Sequence, residues 1–329
     1  MNPASIPAGE LGEAVSVLAS GGLVAMPTET VYGLAADALN PEAVAKIFAL
    51  KGRPADHPLI VHLAPEAHLE DWARDIPEAA LALRTAFWPG PLTIILKKSP
   101  RVPGLVTGGQ DSVGLRCPSH PVAQRLLREF ATVGSGAVAA PSANLFGHVS
   151  PTTARHVRDE FGPGLLILDG GACEMGLEST IVDLSRGRAI LLRPGGITRE
   201  AIARVLGTAP GDRDEAAPRA SGTLAAHYAP GTPLELVEPA GLAARIAGTG
   251  PVAVLGFGES REGEGIAGWI AAPRDPSRYA HDLYANLRRL DACGAGRILV
   301  EAPPRENAWE AVNDRLDRAA AGTCDEDET

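Results

Sequence analysis

The sequence predicts an α/β protein: a large mixed sheet with helices, followed by a smaller α/β domain. Three observations carry this. Short apolar, strand-like runs intermix with amphipathic helical stretches from residue 10 to residue 206. The periodicity then disappears between Gly207 and Gly231, in "TAPGDRDEAAPRASGTLAAHYAPG", a linker rich in Pro, Gly, Ala and charge. Beyond it, strand and helix patterns resume from Leu234. The expected division is therefore 1–207, a linker over 208–231, and 232–329.

In chain order, residues 10–20 form an amphipathic helix stopped by Gly21-Gly22, and Leu23–Met26 is a strand ended by Pro27. Asn40 caps a helix over 41–50, with Pro41 in its first turn. Strands follow at 59–63, 92–96, 112–116, 138–140, 165–168, 180–184 and 189–192, with helices at 76–87, 121–130, 152–160 and 198–206. The second domain has strands at 234–237, 252–256 and 298–301 and helices near 240–247, 277–290 and 307–320. Its "GFGES" is not a GxGxxG fingerprint, and the closing "CDEDET" reads as a disordered acidic tail.

Composition narrows the function classes. Apolar residues make up 45% of 329, enough for a real core. Cys117, Cys173, Cys293 and Cys324 show neither CxxC pairing nor metal spacing, which favours a reducing compartment. With no N-terminal signal and no long apolar run, a soluble cytoplasmic protein without membrane contact is expected. Net charge is −10; residues 1–210 hold 18 basic and 20 acidic residues (−2), residues 211–329 hold 12 and 20 (−8). That balance disfavours a general nucleic-acid binder.

Candidate chemistry gathers at strand ends, where α/β sheets bind ligands. In "MPTETVYGL", Thr28, Thr30 and Tyr32 crowd hydroxyls into a turn. The crowd suits a small zwitterion; equally, Thr28 or Thr30 caps the turn's own N–H groups. In "KGRPADHPLIVH", Lys51 and Arg53 offer a polyphosphate clamp, at about 4 kcal/mol for a charge pair 4 Å apart at an effective dielectric of 20. The competing reading is complementation of a helix dipole, for roughly 0.3–1 kcal/mol each. No Walker A motif exists, so nucleotide phosphates would depend on such side chains. His57 and His62 bracket the next strand, and Ser112, Arg116, Ala140, Ser142, Asn144, Ser150, Ser179, Thr180 and Arg193 lie at or beside further element ends. Together these make a constellation suited to a site rich in anions.

Read in order, PTETVYGL, KGRP…PLIVH, FWPGPLT, VGLRCP, PSAN…SPT, ESTIVD and LLRPG resemble the YrdC-like family. With HYAP in the linker and an α/β C-terminal domain, the whole chain is similar to the family's long two-domain form, the L-threonylcarbamoyladenylate synthases. The resemblance implies a YrdC-like open twisted mixed sheet and a Rossmann-like second domain. It also implies an ATP-binding nucleotidyltransferase of tRNA processing, making threonylcarbamoyl-AMP and pyrophosphate from L-threonine, bicarbonate or CO2, and ATP. A separate tRNA threonylcarbamoyl transferase complex would use the product at adenosine 37, and direct tRNA binding stays open. Thr30, His62, Arg116, Ala140 and Ser179 match threonine-binding positions. Lys51, Arg53, His57, Ser112, Ser142, Asn144, Ser150, Arg193 and Tyr228 match ATP-binding positions, with Lys51 and Arg53 as the catalytic cations. Mg²⁺ is expected to arrive with ATP, with no dedicated protein ligands. His57 stands where the family often has asparagine, and "SGTLAAHYAP" lacks the basic residues of the "PGMKYRHYAP" form. An RNA-binding module of the same fold is the alternative. A carbamoyl-adenylating enzyme of hydrogenase maturation would need acylphosphatase and zinc modules that this chain does not show.

Overall fold

The computed structural model describes residues 6–248, 250–260, 263 and 265–322; the acidic tail and Cys324 lie outside the described residues. The chain divides into two units, Met1–Phe146 with Pro151–Thr223 and Gly147–Ser150 with Leu224–Thr329. Residues 208–223, expected in the linker, thus sort with the first unit, and Gly147–Ser150, which run up to the first residue of the SPT motif, sort with the second.

The first unit begins with α1 (Ala8–Ala19), β1 (Val24–Met26), β2 (Gly33–Asp37), α2 (Pro41–Lys51), β3 (Ile60–Leu63) and β4 (Ala73–Arg74). It continues with α3 (Glu78–Phe87), β5 (Leu92–Lys98), β6 (Ser112–Arg116), α4 (Pro121–Phe130), β7 (Ala137–Ala139) and α5 (Ala154–Phe161). It closes with β8 (Leu166–Ile167), β9 (Thr180–Asp183), β10 (Ile190–Arg193), α6 (Arg199–Leu206) and β11 (Gly211–Asp212). The strands make one sheet in the order β11-β10-β9-β5-β6-β3-β7-β2-β1-β8, with β4 on β5. Parallel pairs such as β3–β6 and β5–β9 alternate with antiparallel ones such as β5–β6 and β3–β7, so the sheet is mixed.

Local chemistry explains the best-defined elements. The Asn40 side chain accepts from the N–H groups of Glu42 and Ala43 to start α2, and Gly52, at φ 63°, ends it in the left-handed region. One sheet face packs α1 and α4 against Val24, Met26, Ala35 and Val138. Further along lies an aliphatic patch of Ile60, Ile95, Ile181, Ile190 and Leu192, against which Ala217 and Ala220 pack. That apolar contact is why 208–223 belongs to the first unit rather than hanging free.

Four described strands escape a sequence reading: the two-residue strands Ala73–Arg74 and Gly211–Asp212, and two longer ones. Gly33–Asp37 is "GLAAD", short on β-branched residues and buried along its first four positions, so neither propensity nor alternation marks it. In the second unit an unexpected strand covers Ile266–Ala271, whose apolar run Gly268 interrupts in the sequence.

The second unit contains β12 (Leu234–Val237), α7 (Leu242–Ala247), β13 (Val252–Gly256), β14 (Ile266–Ala271), α8 (Pro276–Asp291), β15 (Arg297–Glu301) and α9 (Glu310–Ala321). Its sheet, β12-β15-β13-β14, is parallel throughout. Within this unit the Ala229 N–H donates to the Gly147 carbonyl at 2.9 Å, His148 bridges Ala229, and Arg288 donates to the Val149 carbonyl. No helix of the described residues is long and apolar enough to cross a membrane.

Candidate active site

Strand register builds the centre of the candidate site. His62 stands opposite Val138 and Arg116, Arg116 opposite Thr93, and Thr93 opposite Ile181. Paired residues share a sheet face, so a row crosses five adjacent strands: apolar at Val138, polar at His62, Arg116 and Thr93, apolar again at Ile181. All five are buried. Ala140 lies beside the row, its N–H donating to the Ile60 carbonyl, which leaves only its own carbonyl for a ligand. Gly114 makes a dip in the neighbouring row, where a Cβ would come 3.3 Å from the Thr93 methyl and 3.6 Å from Ile60.

Arg116 is held but not satisfied. Its Nη2 lies 2.8 Å from Glu29 Oε1, and the other Glu29 oxygen accepts the Ser119 N–H at 3.1 Å. The close Arg–Glu approach lacks hydrogen-bond alignment, and no described residue accepts a hydrogen bond from Arg116 Nε or Nη2. A buried guanidinium with unused N–H groups suits a carboxylate. Burial, and then the Arg116 charge, lower the His62 pKa from 6.5 to about 3. His62 Nδ1 sits 3.2 Å from the Ile60 carbonyl, which can only accept, so Nδ1 carries the hydrogen and Nε2 keeps its lone pair.

The hydroxyl-rich turn is partly self-satisfied. Thr28 Oγ1 donates to the Val31 carbonyl at 2.6 Å and accepts from the N–H groups of Thr30 and Val31. Of the two sequence readings, Thr28 takes the capping one. Tyr32 donates to the Gly171 carbonyl at 2.7 Å and accepts from the Gly170 N–H, and burial raises its pKa. Its phenol is structural, stitching the turn to residues 170–171. Ser179 Oγ lies 2.8 Å from Thr93 Oγ1. Arg193 grips Ser179 through Nε and Nη2 on its carbonyl, and Nη1 donates to the Ser221 carbonyl at 2.9 Å. Thr180 Oγ1 exchanges hydrogen bonds with the Ile197 backbone, a local anchor.

A second group surrounds the end of α2. Lys51 Nζ donates to the Ser142 carbonyl at 2.7 Å and to the Asn144 carbonyl, while the Lys51 carbonyl accepts the Phe146 N–H. Lys51 therefore fastens the PSAN loop from two sides, with one of its three ammonium donors left over. Burial, reinforced by Arg53 and opposed by Glu160, holds its pKa well below the usual lysine value. Arg53 donates to the Pro58 carbonyl at 3.0 Å and lies over the Phe146 ring, which His57 meets edge-on. Burial and Arg53 lower the His57 pKa against the opposing pull of Asp56. Ser112 lines a cavity of about 10 Å³ with Pro58, Ile60, Thr93, Gly114 and Ser221.

The first unit thus brings His62, Arg116, Ala140, Thr30 and Ser179 into one neighbourhood, and Lys51, Arg53, His57, Ser142 and Asn144 into another. Ser150 and Tyr228 belong to the second unit. There Ser150 is buried, and Tyr228, at φ 64°, stacks on Tyr284 and underlies the Arg315 guanidinium. Sequence reasoning missed the parts played by Glu29 and Thr93. The signals were a carboxylate inside the opening turn and a threonine closing FWPGPLT.

Two family profiles match the chain: "Telomere recombination" over residues 16–195, and "Threonylcarbamoyl-AMP synthase, C-terminal domain" over 197–321. A Pyrococcus abyssi protein named threonylcarbamoyl-AMP synthase is 39% identical over 93% of this chain and 93% of its own length. The chain belongs to the threonylcarbamoyl-AMP synthase family. A Bacillus subtilis threonylcarbamoyl-AMP synthase is also 39% identical, over 95% of this chain and 93% of its own. Among solved structures, P. abyssi Sua5 complexed with L-threonine superposes with a TM-score of 0.87 at 37% identity, covering 97% of this chain and 96% of that one. Membership of the threonylcarbamoyl-AMP synthase family in its long form makes the chain an enzyme of the nucleotidyltransferase kind, with a YrdC-like first domain.

Proposed function

We propose that this chain condenses L-threonine, bicarbonate or CO2, and ATP into threonylcarbamoyl-AMP with release of pyrophosphate, and that a tRNA threonylcarbamoyl transferase complex consumes the product. The observation that carries the reading is Arg116, buried in the polar row with unused N–H groups and anchored by Glu29. It fits an amino-acid carboxylate, and the P. abyssi relative was crystallised with L-threonine.

The chemistry follows from these groups. Arg116 receives the carboxylate. His62 stays neutral at physiological pH and offers a lone pair, so it accepts an amine hydrogen without holding the ammonium form as a carboxylate would. The Arg116 charge also disfavours an ammonium nearby. The neutral amine adds to CO2 and loses a proton to give a carbamate. A carbamate oxygen then attacks the α-phosphorus of ATP, and pyrophosphate leaves. Arg53, Arg193 and the loop fastened by Lys51 would hold the nucleotide, so that positioning and charge neutralisation supply most of the rate.

Mg²⁺ would enter on the ATP phosphates. Among the described residues no group of three or more His, Cys, Asp or Glu side chains is placed to hold a metal by itself. The test is pyrophosphate release from ATP and bicarbonate with each of the twenty amino acids in turn. Release with threonine far above the other nineteen is expected; equal release with valine overturns the reading, and salt-dependent RNA binding without any release would point to an RNA-binding module instead.

A further inference from the structure

Two helices of the second unit hold the HYAP segment. Tyr228 has a left-handed backbone, φ 64°, which a bulky residue keeps only where its surroundings over-determine it. Its ring stacks on Tyr284 of α8 at 5.8 Å, meets His227 edge-on at 4.1 Å, and lies 5.3 Å from the Arg315 guanidinium of α9. Tyr228 is 1% exposed, so little of the ring is left to face a nucleotide.

The Arg315 side chain is wholly buried, and its Nη1 donates to Asp314 Oδ2 at 2.5 Å. Asp314 Oδ1 accepts from Arg318 Nε and Nη2 at 3.0 and 2.8 Å. Arg318 donates through Nη1 to the Leu224 carbonyl, and its own carbonyl accepts the His227 N–H at 3.2 Å. One carboxylate thus steadies two arginines, one over the Tyr228 ring and one on the backbone before it. A buried ion pair is often no more stabilising than apolar side chains of the same volume. Its distinctive gift is direction.

The backbone after Tyr228 shows what is being aimed. The Ala229 N–H donates to the Gly147 carbonyl at 2.9 Å, and Ala229 pairs with His148. Arg288 of α8 donates to the Val149 carbonyl. The next residue is Ser150, wholly buried and at a position that matches an ATP-binding one. A strained turn bolted by Arg315 therefore leads, through one backbone bridge, to the residue before which α8 places its own arginine.

We propose that Arg315 and Arg288 are positioning residues that set Ser150 for the nucleotide, with the Tyr228 ring as the bolt between α9 and residues 147–150 rather than a contact to ATP. The second unit then serves the reaction by holding both sides of the Ala229–His148 bridge, Arg315 acting on one side and Arg288 on the other. This inference rests on the synthase reading above.

The experiment uses the full chain. It measures the ATP KM from pyrophosphate release at saturating threonine, threonine affinity by calorimetry, and thermal melting. The variants are Arg315→Leu, Arg315→Lys, Arg288→Met and Ser150→Ala, with Arg315→Leu and Arg288→Met also combined with Ser150→Ala. Arg315→Leu and Arg288→Met should each raise the ATP KM roughly five- to tenfold, as expected for one lost cation–ring contact or hydrogen bond. Threonine affinity should stay within about twofold. Arg315→Lys, which keeps a cation over the ring, should recover most of the loss. In the Ser150→Ala background either change should add less than about twofold, because residues that act through one another are not additive. Full multiplication in that background overturns the proposal. So does a parental ATP KM in both single variants, or threonine affinity falling in equal measure, which would mean general loosening. Should Arg315→Leu fail to melt cooperatively, Arg288→Met decides alone. A parent chain that releases no pyrophosphate with threonine sinks the synthase reading itself; an active parent whose variants multiply with Ser150→Ala sinks only the positioning of Ser150.

Discussion

Glu29 and Arg116 face each other at 2.8 Å with side chains only 4% and 5% exposed, so the guanidinium at the centre of the site has a built-in counter-charge. Removing one partner of a buried pair leaves the other uncompensated, at about 3–5 kcal/mol. Glu29→Ala should therefore lower the melting temperature markedly. Glu29→Gln, which keeps an acceptor for the Ser119 N–H, should fold better yet still raise the threonine KM. Thermal melts and threonine titrations of both variants check this; an unchanged melting temperature in Glu29→Ala would mean the pair is not buried in solution.

Arg116→Lys keeps the charge but loses the planar fork. We expect a threonine KM at least roughly tenfold higher, in line with the loss of one charge-assisted hydrogen bond of about 1.5–3 kcal/mol, and a nearly unchanged ATP KM. Steady-state pyrophosphate release with either substrate varied separates the two.

Lys51→Met keeps the length of the stem and removes the donors to Ser142 and Asn144. The PSAN loop should loosen, so turnover at saturating threonine and ATP should fall while calorimetric threonine affinity stays within about twofold, below half a unit of RT ln 10. Loss of threonine binding in equal measure would show that the two residue groups are not separable.

His62 supplies a stability signature. Its folded pKa is depressed from 6.5 to about 3, so below pH 6.5 the unfolded chain takes a proton that the folded chain refuses. Its contribution is fully present above pH 6.5 and is lost as pH falls toward 3. Urea midpoints measured from pH 7 to pH 4 should drop less steeply in His62→Gln than in the parent; parallel slopes would contradict a buried neutral imidazole.

Residues 208–223 predict a difference between two fragments. One ending at Gly207 loses Ala217 and Ala220 from the Ile60–Ile95–Ile181 patch and the bond from Ser221 Oγ to the Pro58 carbonyl. One ending at Thr223 keeps both. The longer fragment should be more soluble and melt higher by differential scanning calorimetry; identical behaviour would show that the patch needs no cover.

Much of this was legible because the chemistry was local. Asn40, Pro41 and Gly52 announce α2 at both ends, and Ser112–Arg116 and Pro121–Phe130 fall on the expected residues. The motif residues were also visible as motifs. What the sequence does not spell out is long-range register. That Thr93 stands opposite Arg116, or that Glu29 reaches it, depends on how β5, β6 and the opening turn meet. The Gly33–Asp37 strand hid because alanines fit a sheet buried on both sides without announcing it. Lys51 read as half of a phosphate clamp because Lys-x-Arg sets two cations side by side; that it also fastens the PSAN loop, some ninety residues away, is a long-range contact no local pattern shows.

The second unit is discontinuous, and this fixes an order of events during synthesis. Gly147–Ser150 leave the ribosome well before Leu224, and the residue that binds the Val149 carbonyl, Arg288, follows later still. Every strand of the large sheet, down to β11 at Asp212, has been made by then. At a synthesis rate of about 5–20 residues per second, the four residues wait several seconds or more for their partners. The nascent chain therefore passes through an interval in which every strand of the large sheet has been made while Gly147 and Val149 still await Ala229 and Arg288.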